Sequence, residues 1–271
     1  MSQRWFAKII FLLMFGSARL VSAESAAETN AFQTAAKIFN DQLFKTAEGS
    51  FAEFLAHYPA SENRAEAILF QAQARFHQTN SAGALELLQK EIPKAGPLAD
   101  QYQYWIAESF FQNGNYEAAA QTEAELLKKY PLSARGLEAS YNQALAYARL
   151  KNWEKVVELL RAADGSFQKF SKSQPDNPFA RQGILLLAEA LLAQKKIAES
   201  EMILKQLDGR ALDPTVRWRQ QFLLSRAQLA AGHLEEALQT STNAFQAATA
   251  IPQKSFSAQT ILLQGEILEK L

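Results

Sequence analysis

The chain has no cysteine, and its 271 residues include only 11 glycines, 8 prolines and three histidines. Each scarcity excludes something. Without cysteine there is no disulfide framework, no thiolate nucleophile, no cysteine metal site and no lipid on an N-terminal cysteine. The sparse glycines form no P-loop, no G-x-G-x-x-G turn and no G-x-S-x-G elbow. His57, His77 and His233 are far apart, so no helical His-x-x-x-His zinc pair exists. Their places near turns and helix ends suit a C-terminal helix dipole instead. Neither sign of charge dominates, with 28 basic and 28 acidic residues, and the basic footprint of a nucleic-acid binder is missing. No Val/Ile/Thr-rich run alternates with period two, which removes the usual signal for strands.

What is present is Ala, Leu, Glu and Gln at helical spacing, with 48% apolar residues, enough for a substantial core. The reading is therefore all-α. Residues 1–23 stand apart. Arg4 and Lys8 precede the apolar run Ile9 to Phe15, and Val21-Ser22-Ala23 ends it before Glu24. This is the layout of a secretory signal peptide. Arg19 cuts the run well below the roughly 20 apolar residues a spanning helix needs. A retained anchor over residues 5–18 is the alternative, as is a first helix buried in the domain. Removing Arg4, Lys8 and Arg19 leaves 25 basic against 28 acidic residues, a formal charge of −3.

An internal repeat organises the rest. FAEFLAHYPAS (51–61) and EAELLKKYPLS (123–133) share one helix ending, 72 residues apart. Six pairs of small or short residues, each twelve apart, subdivide that interval: Ala35/Ala47, Ala72/Ala84, Ala107/Ala119, Ala144/Val156, Ala188/Ser200 and Ser225/Ala237. The steps between pairs are 37, 35, 37, 44 and 37 residues. Turn chemistry sits inside the pairs at Thr79-Asn80, Asn113-Gly114-Asn115, Lys151-Asn152, Lys195-Lys196 and Gly232-His233. Three residues before each second small position stands Phe44, Ser81, Tyr116, Trp153, Ile197 or Leu234, a bulky wedge in five cases of six. Asn177-Pro178 and Asp213-Pro214 mark helix starts. Each unit reads as helix, tight turn, helix.

This arrangement resembles the tetratricopeptide repeat (TPR) family. Unit three carries the likeness most fully through Trp105, Ala107, Phe110, Gly114, Tyr116, Ala119 and Pro131. Unit six matches through Gly232, Leu234 and Ala237, and unit four through Tyr147, Trp153 and Val156. The chain departs from the family where Ser81 replaces the wedge and where Arg75 and Gln228 replace the first-helix aromatic. The resemblance implies a right-handed α-solenoid of six to seven units over residues 24–271. Their bounds are near 30–60, 61–96, 97–132, 133–175, 177–212 and 213–250, with a partial unit at 252–271. The widest step comes from DGSFQKFSKSQPDNP (164–178), which reads as a lengthened second helix followed by an exposed loop, either a plain insertion or a partner contact.

Carboxylate pairs such as Glu235-Glu236 and Glu123/Glu125 fall on second helices, whose outer faces are normally solvated. No nucleophile, base and orienter converge, so the expectation is no enzyme activity and no cofactor. In the family the first helices line a concave face, which implies a groove for a protein or peptide segment. The slots about 100° from the small residues hold Phe76, Tyr104, Glu108, Phe111, Glu138, Tyr141, Phe222 and Arg226. Helical spacing cannot tell an inner face from a seam between neighbouring first helices, so both assignments stay open here. Tyr104/Glu108 and Tyr141/Leu145 occupy the positions where some members carry a Lys/Arg/Asn carboxylate clamp, so that clamp is missing. The expected function is a non-enzymatic protein-interaction scaffold of the bacterial cell envelope, exported to the periplasm. Its membrane contact would come only through the signal or a retained anchor. The alternative is the TPR portion of a larger membrane-anchored or multidomain protein with a catalytic or pore domain beyond residue 271.

Overall fold

A computed structural model describes residues 26–209 and 212–271; the signal segment lies outside them. Among the described residues all regular structure is helical. Helix α1 covers 26–40. It is followed by α2 Phe44–His57, α3 Arg64–His77, α4 Ser81–Glu91, α5 Ala99–Gln112, α6 Tyr116–Lys129 and α7 Gly136–Arg149. Then come α8 Trp153–Arg161, α9 Ser166–Ser173, α10 Pro178–Ala193, α11 Ile197–Leu204, α12 Pro214–Ala231, α13 Leu234–Thr249 and α14 Ser255–Leu268. The chain divides into two compact units, one ending at Asn115 and one running Tyr116–Leu271. The boundary falls in the turn of the third helical pair.

The twelve small residues are the centre of the packing. All of them are at most 2% exposed, Val156, Ser200 and Ser225 included. In two pairs the members are joined directly: Ser200 donates its hydroxyl to the Ala188 carbonyl at 2.9 Å, and Ser225 donates to the Ala237 carbonyl at 2.8 Å. Backbones approach this closely only where neither residue carries a long side chain.

Each hairpin turns on one residue in the left-handed region. Gln42, Thr79, Gly114, Lys151, Lys195 and Gly232 have φ of 61°, 62°, 78°, 59°, 60° and 82°. Each lies five residues before the second small position, so the turns repeat with the same steps as the pairs. The same two bonds close every turn, as in Asn80 N–H to the Arg75 carbonyl and Thr79 N–H to the Phe76 carbonyl, both 3.0 Å. This 6→1 and 5→2 pattern is a Schellman motif. Four of the six positions are not glycine, and they bear the steric cost of a side chain there. The wedge residues Phe44, Ser81, Tyr116, Trp153, Ile197 and Leu234 are each the first residue of a second helix. At Ser81 the missing bulk is replaced by a hydrogen bond from its hydroxyl to Asn113 Oδ1 of the next turn.

The two Tyr-Pro-x-Ser endings also fold alike. Tyr58 and Tyr130 donate their N–H groups to the Phe54 and Leu126 carbonyls, both at 2.8 Å. Ser61 Oγ accepts from Asn63 N–H at 3.0 Å and Ser133 Oγ from Arg135 N–H at 3.2 Å. Proline follows the helix end, and the serine hydroxyl makes a local turn that holds the residue just before the next helix.

In the first unit, α3 packs on α2, α4 and α5. Arg75, at an aromatic's place in α3, spans its neighbours instead: Nε donates to Glu48 Oε1 of α2 at 2.8 Å and Nη1 to the Gly83 carbonyl of α4 at 3.1 Å. In the second unit the first helices α7, α10 and α12 pack in series and α14 joins α12 and α13. The insertion is not a lengthened helix plus loop. It forms the separate helix α9, with Phe167 buried in the core of α7, α8 and α10. Two glycines admit it. A Cβ at Gly136 would come within 2.0 Å of the Phe170 ring, and one at Gly183 within 2.1 Å of the Phe167 ring. The solvated-face reading fails at Glu123, which is 1% exposed. The offsets of four from Ala119 to Glu123 and seven from Ala119 to the fully buried Leu126 put that carboxylate on the inward face of α6.

Candidate partner-binding face

The first helices present two kinds of row, defined by distance from the small residue. Three residues before it stand Leu69, Tyr104, Tyr141, Leu185 and Phe222. The first four are 5%, 4%, 6% and 1% exposed, and Phe222 is half-buried. One residue after it stand Gln73, Glu108, Leu145, Glu189 and Arg226, none of them buried. Six before it, Glu66, Gln101, Glu138, Gln182 and Arg219 are also open to solvent to varying degrees. The row one helical turn beyond the small residue holds half-buried Phe76, Phe111, Ala148, Leu192 and Leu229.

Within each unit the buried row lies along the seam between successive first helices. Tyr141 of α7 meets Phe179 of α10, ring centroids 5.6 Å apart. Phe222 of α12 stacks on Trp218 at 5.0 Å and packs against the apolar residues of α14. Trp218 is fixed in turn by Phe256 of α14 at 4.5 Å and by its Nε1–H bond to Thr260 Oγ1 at 2.9 Å. Tyr141 is therefore a packing residue with little area for a ligand, and Tyr104, edge-on to Trp105 at 5.6 Å, is as deeply buried. In the first unit, Phe76 sits edge-on to Trp105 at 5.2 Å and keeps part of its ring outside.

The open rows of the second unit carry charge. Arg135 Nη1 donates to Glu138 Oε2 at 2.7 Å, and Arg219 Nη2 to Glu189 Oε2 at 2.6 Å, which ties α12 to α10. The Tyr141 hydroxyl lies beside Arg219; burial pushes its pKa up, partly opposed by that guanidinium. Arg226 is exposed. Glu189, Arg219, Gln101 and Gln182 were missed by reasoning from sequence. Their offsets from the small residues, one after or six before, were the available signal.

The histidines are structural. His57 ends α2 with Nδ1 2.8 Å from the Glu53 carbonyl. His77 ends α3 and stacks on Phe44 at 4.5 Å, and burial lowers its pKa, so it favours the neutral form. His233 stands before α13, 3.8 Å from Glu236, at a helix start and not an end. Among the described residues no three His, Asp or Glu side chains gather as metal ligands, and no helix is long and apolar enough to cross a membrane.

No protein-family model and no curated protein sequence matches the chain. Solved structures do. The chain is similar to nearly identical TPR-like repeats from Podosopora anserina at 18% identity and TM-score 0.57, over 72% of this chain and all of that one. It is similar to MamA of Desulfovibrio magneticus RS-1 at 15% identity and TM-score 0.56, over 72% of this chain and all of that one. It is similar to PilF of Pseudomonas aeruginosa at 14% identity and TM-score 0.62, over 88% and 97%. At such identities the likeness is one of architecture, and it agrees with the hairpins described above: this chain has the all-α fold of TPR-like repeat proteins.

Proposed function

We propose that the protein is a non-enzymatic scaffold that holds a segment of a partner protein against its first helices. The observation that carries this reading is the regular split of those helices into a buried seam row and open rows. The open rows mix Gln, Glu and Arg with half-exposed Phe76, Phe111, Leu192 and Leu229. Such a surface offers apolar anchors with polar groups around them, the composition by which extended or helical segments are gripped. Of the residues named from sequence, Glu108, Phe111 and the outer edge of Phe76 would supply contacts on the first unit, and Glu138 and Arg226 on the second; Tyr104, Tyr141 and Phe222 support the helices that present them.

The cell-envelope placement belongs to the same proposal. It rests on the signal-peptide layout of residues 1–23 and on the Tyr-Pro-x-Ser endings, which resemble those of envelope TPR proteins. Two experiments test the proposal. Sequencing the N-terminus of the exported chain is expected to give Glu24, and Met1 or Ser2 would contradict cleavage. A photo-reactive residue at Arg226 or Glu189 is expected to capture a discrete partner protein, while one at Gln239 on α13 captures none. Equal capture from both sides would overturn the first-helix assignment.

A further inference from the structure

Helix α9 has little of its own to keep it helical. It is eight residues long, SFQKFSKS, and its start at Gly165 has no side-chain cap bond. Isolated helices below about 12–15 residues are marginal in water. Its backbone bonds stay within the segment, as in Lys169 N–H to the Gly165 carbonyl at 3.1 Å and Gln174 N–H to the Phe170 carbonyl at 3.0 Å. Among the described residues one hydrogen bond joins an α9 side chain to another element, Gln168 Nε2–H to the Leu160 carbonyl of α8 at 2.6 Å. Exposed residues flank it on both sides, Ala163-Asp164 before and Gln174-Pro175-Asp176 after.

What fixes α9 is a pair of rings at i and i+3, on one side of the helix. Phe167 is 3% exposed and lies over Gly183 of α10, while Phe170 lies over Gly136 of α7. Glycine inside a helix weakens it. At Gly183 that loss is matched by the room it leaves for a ring, since any Cβ there would overlap Phe167. The groove between α7 and α10 is thus notched for two aromatic side chains one helical turn apart. Helix α9 does not fill it. Beside Phe167 a cleft of about 250 Å³ remains, walled by Ala180 and Ile184 of α10 and by Ser171 and Lys172 of α9. Gly136 stands eight residues before Ala144 and Gly183 five before Ala188, so both notches lie at least about 100° round their helices from the open rows.

We infer that α9 is a releasable strap over a helix-binding groove, and that the groove takes in its place a helical segment of a partner protein with aromatic side chains at i and i+3. The seated strap shows the chemistry of that occupant. Tethered at both ends, α9 is present at high effective concentration. A partner displaces it by filling the groove better, and the cleft beside Phe167 is the room for doing so. The groove is separate from the open rows of the first helices, so this inference can fail while the partner-binding proposal stands.

Two measurements on the full chain test it. In native-state hydrogen exchange the α9 amides are expected to be at least about a hundredfold less protected than those of α10, with the other helices intact. Protection equal to that of α10 would overturn the inference. Phe167→Ala combined with Phe170→Ala empties both notches. A labelled peptide of residues 163–176 is expected to bind this variant at least about tenfold tighter than the unaltered chain, whose own strap competes. Adding Gly183→Ala to the variant should weaken that binding by about tenfold or more. The peptide with alanine at both phenylalanines should not bind. A folded variant that ignores the peptide, or takes the alanine form equally well, contradicts the groove. So does a variant whose circular dichroism loses helix well beyond the eight residues of α9, because α9 would then be a fixed part of the core.

Discussion

The Ser225 hydroxyl donates a hydrogen bond to the carbonyl of Ala237, twelve residues on, across the two helices of one hairpin. Ser200 and Ala188 make the same bond in the preceding hairpin with the roles reversed, the serine now on the second helix. Both bonds are buried. Ser225→Ala keeps the close approach and loses the bond, and is expected to cost about 1 kcal/mol. Ser225→Val adds bulk as well and is expected to cost about 1–3 kcal/mol more. Denaturant unfolding measures both; a neutral Ser225→Val would mean the hairpin has slack that its burial denies.

The turns give a prediction of opposite sign. Thr79 holds φ 62° with a β-branched side chain, where Gly114 and Gly232 hold similar angles freely. Thr79→Gly is expected to stabilise the fold by about 1 kcal/mol, and Gly232→Thr to destabilise it by at least as much. A loss of stability in Thr79→Gly would show that its hydroxyl, bonded to the Gln78 carbonyl at 2.6 Å, outweighs the backbone cost.

Helix α9 depends on two glycines. Gly183→Ala puts a methyl into the Phe167 ring and Gly136→Ala one into the Phe170 ring. Each is expected to cost about 1–3 kcal/mol. Pairing Gly183→Ala with Phe167→Leu should cost less than the sum of the two, because both act on one contact. Strict additivity in a double-mutant cycle would place α9 elsewhere.

Acid should loosen the first unit through Glu91. Arg64 Nη1 bonds its carboxylate at 2.9 Å and holds the Glu91 pKa below the ordinary carboxylate value, against the raising effect of burial. The folded pKa is thus lower than the unfolded one. The stabilisation is complete above the unfolded value and is lost as pH falls through the folded value. Glu91→Gln is expected to be less stable near neutral pH and to lose less stability on acidification. An unchanged slope of stability against pH would remove Glu91 from the account.

Much of the fold was legible because small residues cannot hide. A hairpin whose backbones come close needs a small or short residue at fixed spacing, and that spacing survives in all six pairs while the aromatic positions drift. Five of the turns were legible for a related reason: each left-handed residue is locked in register with those pairs, even where it is Lys151 or Lys195; the sixth, at Gln42, carries no turn signal of its own and shows only in the structure. Helix α9 was not, since eight residues of Ser, Lys, Gln and Phe read as the end of a lengthened helix running into a loop until Gly136 and Gly183 are seen to receive its rings. Glu123 read as surface because its type outweighed its offset from Ala119. The candidate face was half legible. Its residues were named on first helices, but Tyr104 and Glu108 differ by about 40° beyond one turn, and only coordinates separate the buried row from an open one.

The most direct test of the whole account is to enlarge the small residues one hairpin at a time. Ala72→Leu, Ala144→Leu and Ala188→Leu place the same side chain at equivalent fully buried points in three hairpins. Each is expected to lower unfolding free energy by about 1–3 kcal/mol or more, with Gln73→Leu beside the first nearly neutral. If the three are tolerated as readily as Gln73→Leu, close contact at these points does not build the repeat.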